Sequence, residues 1–389
     1  MKLLHIYHVF PAIYGGVSYV VYNLAKELSK RHYDVHILTT NAYLNTTSDS
    51  DSNEKIKVHR FKVISQKLAK RKLIIPSSGF FMWLRKNVTN FDLVHIHGFR
   101  NVYTPFVYLV LKEMKVPYVL QAHGSLSRVT GRPKLKWIYD ISFGYGLLRD
   151  ASKVIALSHV EADQYRSMGV PEEKIAIIPN GIDLSEYIEL PPKGAFKKKF
   201  NIPEDKKVVL YLGRIHKIKG IDFLIRAYAH LVNEKKCKNV VLVIAGPDDG
   251  YLKEAQELTN RLGISKYVLF TGPLYGRDEL EAYVDSEFYV LPSRYETFPI
   301  TVLEAYVCGK PVIASNEGGL RDLVINGKTG LLIDVGNVDQ LAKAILSLIN
   351  NEVKVKEMGS MGRQLVKSNF SIEKVVGKLE KIYEEIVEG

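Results

Sequence analysis

Val290-Leu291-Pro292-Ser293-Arg294-Tyr295-Glu296-Thr297-Phe298-Pro299-Ile300-Thr301-Val302-Leu303-Glu304-Ala305-Tyr306-Val307-Cys308-Gly309-Lys310-Pro311-Val312-Ile313-Ala314-Ser315 reads as strand, loop, helix, turn and strand. Phe288–Leu291 and Pro311–Ala314 are short apolar runs, the first stopped by Pro292. Pro299 has the backbone angle suited to the first turn of a helix, and Gly309 follows the apolar face Ile300, Val302, Leu303, Tyr306, Val307 as a stop. The loop thus delivers Glu296 to a strand's carboxyl end, with Glu304 further on inside the helix. Two acids flanking a helix N-terminus at that place suit a ligand both hydroxylated and anionic, as a sugar nucleotide is.

Outward from this stretch, apolar runs alternate with helical patterns nearly throughout. Leu3–Val9, Val35–Thr40, Leu93–Ile96, Tyr118–Gln121, Lys153–Ala156 and Ile175–Ile178 read as strands, with helices at Gly16–Arg31, Tyr103–Lys115 and Lys134–Leu148 among them. Leu190-Pro191-Pro192-Lys193-Gly194 has linker chemistry, after which the alternation restarts at Val208–Leu212. The pattern predicts an α/β chain of two doubly wound, Rossmann-like units in series. The predicted domains are 1–190 and 191–370.

Composition narrows the class. At 389 residues two domains are expected, and 46% apolar with 25% charged residues is globular. Cys237 and Cys308 stand far apart, which excludes a disulfide framework and disfavours structural zinc. The start reads as a strand rather than a signal peptide, and no apolar run is long enough to span a bilayer, so a cytoplasmic protein is expected. The net charge of +12 is uneven: residues 1–190 hold 25 Lys and Arg against 16 Asp and Glu. Lys55 to Lys86 carries ten basic residues and no acidic one. Its Phe80-Phe81-Met82-Trp83-Leu84 reads either as an apolar face for shallow docking on an anionic membrane or as an ordinary core helix flanked by solvated lysines. Nucleic acid is disfavoured, because no binding motif or interleaved stacking aromatics accompany the charge.

The loops after strands are where chemistry is expected. Pro11-Ala12-Ile13-Tyr14-Gly15-Gly16-Val17 opens a helix with two glycines, and Ala122-His123-Gly124 follows a strand. Gly213-Arg214-Ile215-His216-Lys217-Ile218-Lys219-Gly220 offers a planar fork and a point charge, a pair suited to a diphosphate. Phe270-Thr271-Gly272-Pro273-Leu274 ends another strand, and Glu317-Gly318-Gly319 precedes a helix.

In order, Gly213-Arg214 with Lys219-Gly220, the Glu296-x7-Glu304 pair, Gly309-x-Pro311-Val312-Ile313-Ala314 and Gly318-Gly319 resemble the retaining nucleotide-sugar glycosyltransferases of family four, with the GT-B fold of two Rossmann-like domains facing across a cleft. The resemblance implies a sugar moved from a UDP or GDP sugar to a glycan or lipid-linked acceptor. It implies Arg214 and Lys219 at the donor diphosphate, neutralising the leaving group, and Glu304 at the ribose. Glu296 would contact the donor sugar, with amides of Phe298, Pro299 and Ile300 around sugar and phosphate; Pro299 itself lacks an N–H. His123 would lie near the reacting carbon, Gly16 beside the diphosphate and Leu274 against the base. Arg214, Lys219, Glu296 and His123 form the implied catalytic set. The final helix, Ser371–Glu388, would return to the amino-terminal domain, which would take the acceptor. No cofactor or metal is expected, since Arg214 and Lys219 can neutralise the diphosphate without one. A sugar-nucleotide 2-epimerase of the same fold is the alternative, separable because it needs no acceptor.

Overall fold

The computed structural model describes the chain apart from residues 11–14, 45–54, 72, 128–132 and 236. Pro11-Ala12-Ile13-Tyr14 of the first glycine loop therefore lie outside the described residues. The chain divides into two compact units, Met1–Gly181 with Ile372–Gly389, and Ile182–Ser371. It leaves the first unit at Gly181, ahead of Pro191-Pro192, and re-enters it at Ile372.

Among the described residues, the first unit contains β1 (Lys2–Ile6), β2 (Asp34–Thr40), β3 (Ile56–Phe61), β4 (Leu93–His97), β5 (Tyr118–Gln121), β6 (Lys153–Ala156) and β7 (Ile175–Ile177). They pair in the order β3-β2-β1-β4-β5-β6-β7, every neighbour parallel. The order reverses between β1 and β4, the place where open α/β sheets bind ligands. Helix Gly16–Lys30 buries Val20, Val21, Leu24 and Leu28 on one stripe. The last helix, Ile372–Glu388, packs beside it. Arg31 joins the two by pairing with Glu27 at 3.1 Å and with Glu380, and by donating to Glu373 O.

Two local features depart from the sequence pattern. Ile56–Phe61 is an edge strand inside the basic run: Ile56, Val58 and Arg60 turn inward, and the polar residues between them hide the alternation. Residues 133–150 are helical but pass through a π-turn at Asp140–Gly144. The buried Asp140 accepts both Nε and Nη2 of Arg100 at 2.8 Å. Helix Ser78–Asn87 resolves the alternatives left for Phe80–Leu84, since Phe80 and Leu84 are buried in the core and Met82 faces out.

Among the described residues, the second unit contains β8 (Lys207–Leu212), β9 (Val240–Ala245), β10 (Val268–Gly272), β11 (Phe288–Leu291), β12 (Val312–Ser315) and β13 (Gly330–Ile333). They pair as β10-β9-β8-β11-β12-β13, again all parallel, with the reversal between β8 and β11. The central strands β8, β9, β11 and β12 are buried on both faces and read as near-continuous apolar runs. Buried tyrosines place their hydroxyls on carbonyls: Tyr211 of β8 on Arg214 at 2.8 Å, Tyr289 of β11 on Leu212 at 2.9 Å, and Tyr228 of helix Ile221–Asn233 on Val240 at 2.7 Å. Among the described residues, no helix is long and apolar enough to cross a membrane.

Candidate active site

The loops after β8 and β11 emerge at the strand-order reversal of the second sheet, and they are packed backbone to backbone. Gly220, at φ +69°, ends the β8 loop, and a Cβ there would stand 1.9 Å from Pro292 O. Arg294 N donates to Ile218 O at 2.7 Å, and the Arg294 guanidinium grips both oxygens of Asp222 at 2.8 and 2.7 Å. This stapling brings Lys219 to Glu296: Nζ lies 2.5 Å from Oε1, and both side chains are largely buried. Ser293 Oγ donates to the same oxygen at 2.8 Å. Gly318, at φ +57°, fits beneath Glu296, where a Cβ would meet Glu296 O at 2.0 Å, and Gly319 N donates to that carbonyl at 2.9 Å. The glycine pair quoted from the sequence thus supports the acid from below.

Arg214 sits on the same loop but is more than half exposed, and its Nη1 pairs with Asp249 of the loop after β9. That loop is paired to its neighbour through Ile215 N to Pro247 O and Asp249 N to Ile215 O. Asp249 was invisible in sequence as a partner, because only the β8–β9 pairing brings it there.

Glu304 stands inside helix Ile300–Val307, which begins directly after Pro299. It accepts the Tyr283 hydroxyl at 2.9 Å and shares a hydrogen bond with the carboxyl of Glu279. Burial raises both carboxyls above the usual range, and the Glu304 charge raises Glu279 further, so the pair holds a proton between them. Glu279 and Tyr283 both lie on helix Arg277–Asp285, and their spacing of four on a single face was the available signal. Ile300 is buried at the helix start. Phe298 is buried, its ring T-shaped on Phe370 at 5.6 Å. Leu274 is buried just past β10.

On the first unit, Gly16 begins its helix behind Gly15, whose φ of +139° favours glycine, and both glycines are exposed. His123 follows β5 at φ +50°, an uncommon left-handed conformation held from several sides. Gly124 N donates to Glu161 Oε1 at 2.6 Å, Leu157 N donates to Glu161 Oε2 at 2.8 Å, and Ala122 N donates to Tyr165 at 3.0 Å. Burial pushes the Glu161 carboxyl up to about 7 against these two N–H bonds. His123 Nε2 lies 2.9 Å from His97 Nδ1. His5, His95 and His97 place one ligand atom each within 4.8 Å of one another. His97 has both nitrogens hydrogen-bonded to other imidazoles, those of His5 and His123, while His95 Nδ1 pairs with the Tyr383 hydroxyl at 2.6 Å, so the three do not make a ready metal set.

Two family models match the chain, glycosyltransferase family 4 over residues 14–186 and glycosyl transferases group 1 over residues 192–365. The chain is 28% identical over 384 residues to N-acetyl-alpha-D-glucosaminyl L-malate synthase of Bacillus anthracis, covering 97% of this chain and 96% of that one. It is 27% identical over 398 residues to D-inositol 3-phosphate glycosyltransferase of Streptomyces bingchenggensis, covering 96% and 86%. Among solved structures, Anabaena HepE in complex with UDP and glucose matches with a TM-score of 0.79 at 22% identity, over 99% of this chain and 100% of that one. Sucrose-phosphate synthase from Thermosynechococcus elongatus matches with a TM-score of 0.79 at 22% identity, over 100% and 99%. Fold and sequence together define a glycosyltransferase of the GT-B fold, two Rossmann-like domains in one chain. The chain belongs to the family-four glycosyltransferases, enzymes that move a sugar from a nucleotide-diphosphate donor to an acceptor.

Proposed function

We propose that the protein is a retaining, metal-independent hexosyltransferase whose donor, a UDP or GDP sugar, is held by the second unit. The observation that carries this reading is the Lys219–Glu296 pair at the strand-order reversal, a cation and a hydroxyl-binding acid joined in one place. Breaking a glycosyl-phosphate bond separates charge, so Arg214 and Lys219 neutralise the diphosphate as it leaves. Glu296 orients the donor sugar through its hydroxyls, with the backbone around Phe298, Pro299 and Ile300 at sugar and phosphate. Glu304, with Glu279 beside it, takes the ribose, and Leu274 covers the base. In the first unit, His123 serves the donor sugar and Gly16 the diphosphate, as the family pattern implies. That unit, Met1–Gly181 with the last helix, is assigned to a glycan or lipid-linked acceptor, and the unit Ile182–Ser371 to the donor.

Thermal shifts with UDP, GDP, ADP and their hexose derivatives test the donor site. A ligand at about 100 times its dissociation constant stabilises by about 2.7 kcal/mol. One nucleotide is expected to shift the wild type and to lose its effect in Arg214→Ala. No shift with any nucleotide at millimolar concentration overturns the assignment.

The acceptor reading extends to an anionic membrane surface at the basic first unit. The basic segment 55–86 supplies charge, but its Phe80 and Leu84 are core residues. The apolar contribution comes instead from Leu135, Trp137, Ile138 and Ile141, each 53–54% exposed. Between Glu113 and Asp140 the chain has five basic residues and no acidic one, which matches anionic headgroups. In a Trp83→Phe background, Trp137 emission should move to the blue with phosphatidylglycerol vesicles and stay put with phosphatidylcholine alone. Loss of that shift in Ile138→Glu/Ile141→Glu supports the surface. A wild type indifferent to both vesicles, or one that self-associates through this face, overturns it.

A further inference from the structure

His5, His97 and His123 lie in series. His5 Nδ1 is 3.0 Å from His97 Nε2, and His97 Nδ1 is 2.9 Å from His123 Nε2. The rings are nearly parallel, 14° apart at 5.3 Å and 29° apart at 5.2 Å. His5 and His97 have no exposed surface, and burial holds all three well below the ordinary histidine range, so the series is neutral near pH 7.

Neutrality sets the proton count. Three neutral imidazoles carry three N–H protons on six nitrogens. Two protons occupy the two N···N bonds, so the third sits at one end: on His5 Nε2 or on His123 Nδ1. The choice orients every ring at once. His5 Nε2 is buried and has no hydrogen-bond partner among the described residues. A buried orphan N–H is rare and costly, so the proton belongs at the other end. His123 then has Nδ1–H outward and a bare Nε2 accepting from His97 Nδ1–H, while His97 Nε2 accepts from His5 Nδ1–H.

We infer that His97 is a positioning residue which, with His5 behind it, presets His123 as an Nδ1–H donor in a single orientation. This rests on the role of His123 in the proposed function, where such a donor faces a sugar hydroxyl or the departing oxygen. A preset donor needs no reorganisation as charge develops. Each neighbouring substitution has a defined effect: asparagine at 97 retains a polar atom where Nδ1 stood, glutamine retains one where Nε2 stood, and leucine retains neither.

Long-range proton–nitrogen correlation spectra of histidine-labelled protein at neutral pH read the tautomer directly, with His123→Gln identifying its signals. The expected wild-type pattern is protonated Nδ1 and bare Nε2 at His123. In His97→Leu the pattern should shift toward protonated Nε2, and in His97→Asn it should hold. With UDP-glucose and GDP-mannose as donor probes, whichever is turned over should show kcat down about 100-fold in His97→Leu and in His97→Gln, with KM changed less than threefold. His97→Asn should recover to within about threefold of wild type. A wild-type His123 protonated on Nε2 overturns the inference without any variant having to fold. Equal activity of the leucine, glutamine and asparagine variants overturns it too. If neither sugar nucleotide is turned over, the assigned role of His123 falls while the tautomer measurement still decides the series.

Discussion

Lys219 Nζ lies 2.5 Å from Glu296 Oε1, and the two residues belong to loops that leave adjacent strands on either side of the sheet's reversal. The pair is largely buried, so its two charges depend on each other. Lys219→Met should cost about 3–5 kcal/mol in urea unfolding, because it leaves the Glu296 carboxylate buried with only the Ser293 hydroxyl. Adding Glu296→Gln should recover more than half of that loss while transfer stays down by about 10²–10³-fold. Additive destabilisation in the double variant would show that the two do not interact.

Gly220 tests how tightly the two loops must meet. Gly220→Ala combines a left-handed backbone with a Cβ placed 1.9 Å from Pro292 O. Gly263, at φ +70° with nothing within 4 Å, isolates the backbone cost alone. Gly263→Ala is expected to cost about 1–2 kcal/mol, and Gly220→Ala at least twice that with loss of the nucleotide-induced thermal shift. Equal costs for the two would show that the β8 and β11 loops give way freely.

Glu279 and Glu304 make stability depend on pH at the candidate ribose site. Both carboxyls are raised above their unfolded values, so the folded state binds more protons. Their contribution is complete below the ordinary carboxyl range and is lost as pH rises through the raised values, at neutral pH and above. Urea unfolding followed by circular dichroism should show wild type weakening from pH 6 to pH 9 more than Glu279→Gln. Parallel losses would mean that no proton is shared.

Acid should unfold the first unit before the second. His5, His8, His36, His59, His95, His97 and His123 all lie in the first unit, and all are held below the ordinary value, chiefly by burial. A histidine depressed in the folded state gives stability that is complete above its unfolded value and lost as pH falls below about 6.5. His5, lowered to about 4, accounts for about 3 kcal/mol of it. Trp83 and Trp137 are the chain's two tryptophans and both belong to that unit, so emission reports it alone. Emission should change at a higher pH than the main loss of circular dichroism; coincident transitions would contradict the assignment.

Local order was legible in the chain because it depends on neighbours in sequence. Alternating apolar runs and helical stripes, Pro299 ahead of its helix and Gly309 after it marked the element sequence. The rule that ligands gather at strand ends then picked out the loops of Arg214, Lys219, His123 and Glu296. Ile56–Phe61 escaped, because an edge strand with one polar face differs little from a charged loop. Which side chains meet was decided only by the tertiary structure. Lys219 reaches Glu296 through the β8–β11 pairing, Arg214 reaches Asp249 through β8–β9, and His97 reaches His5 and His123 across β4 and its two neighbours. Strand order and register make these pairs, and neither is encoded by any one stretch, since each is set by the summed burial of the whole sheet.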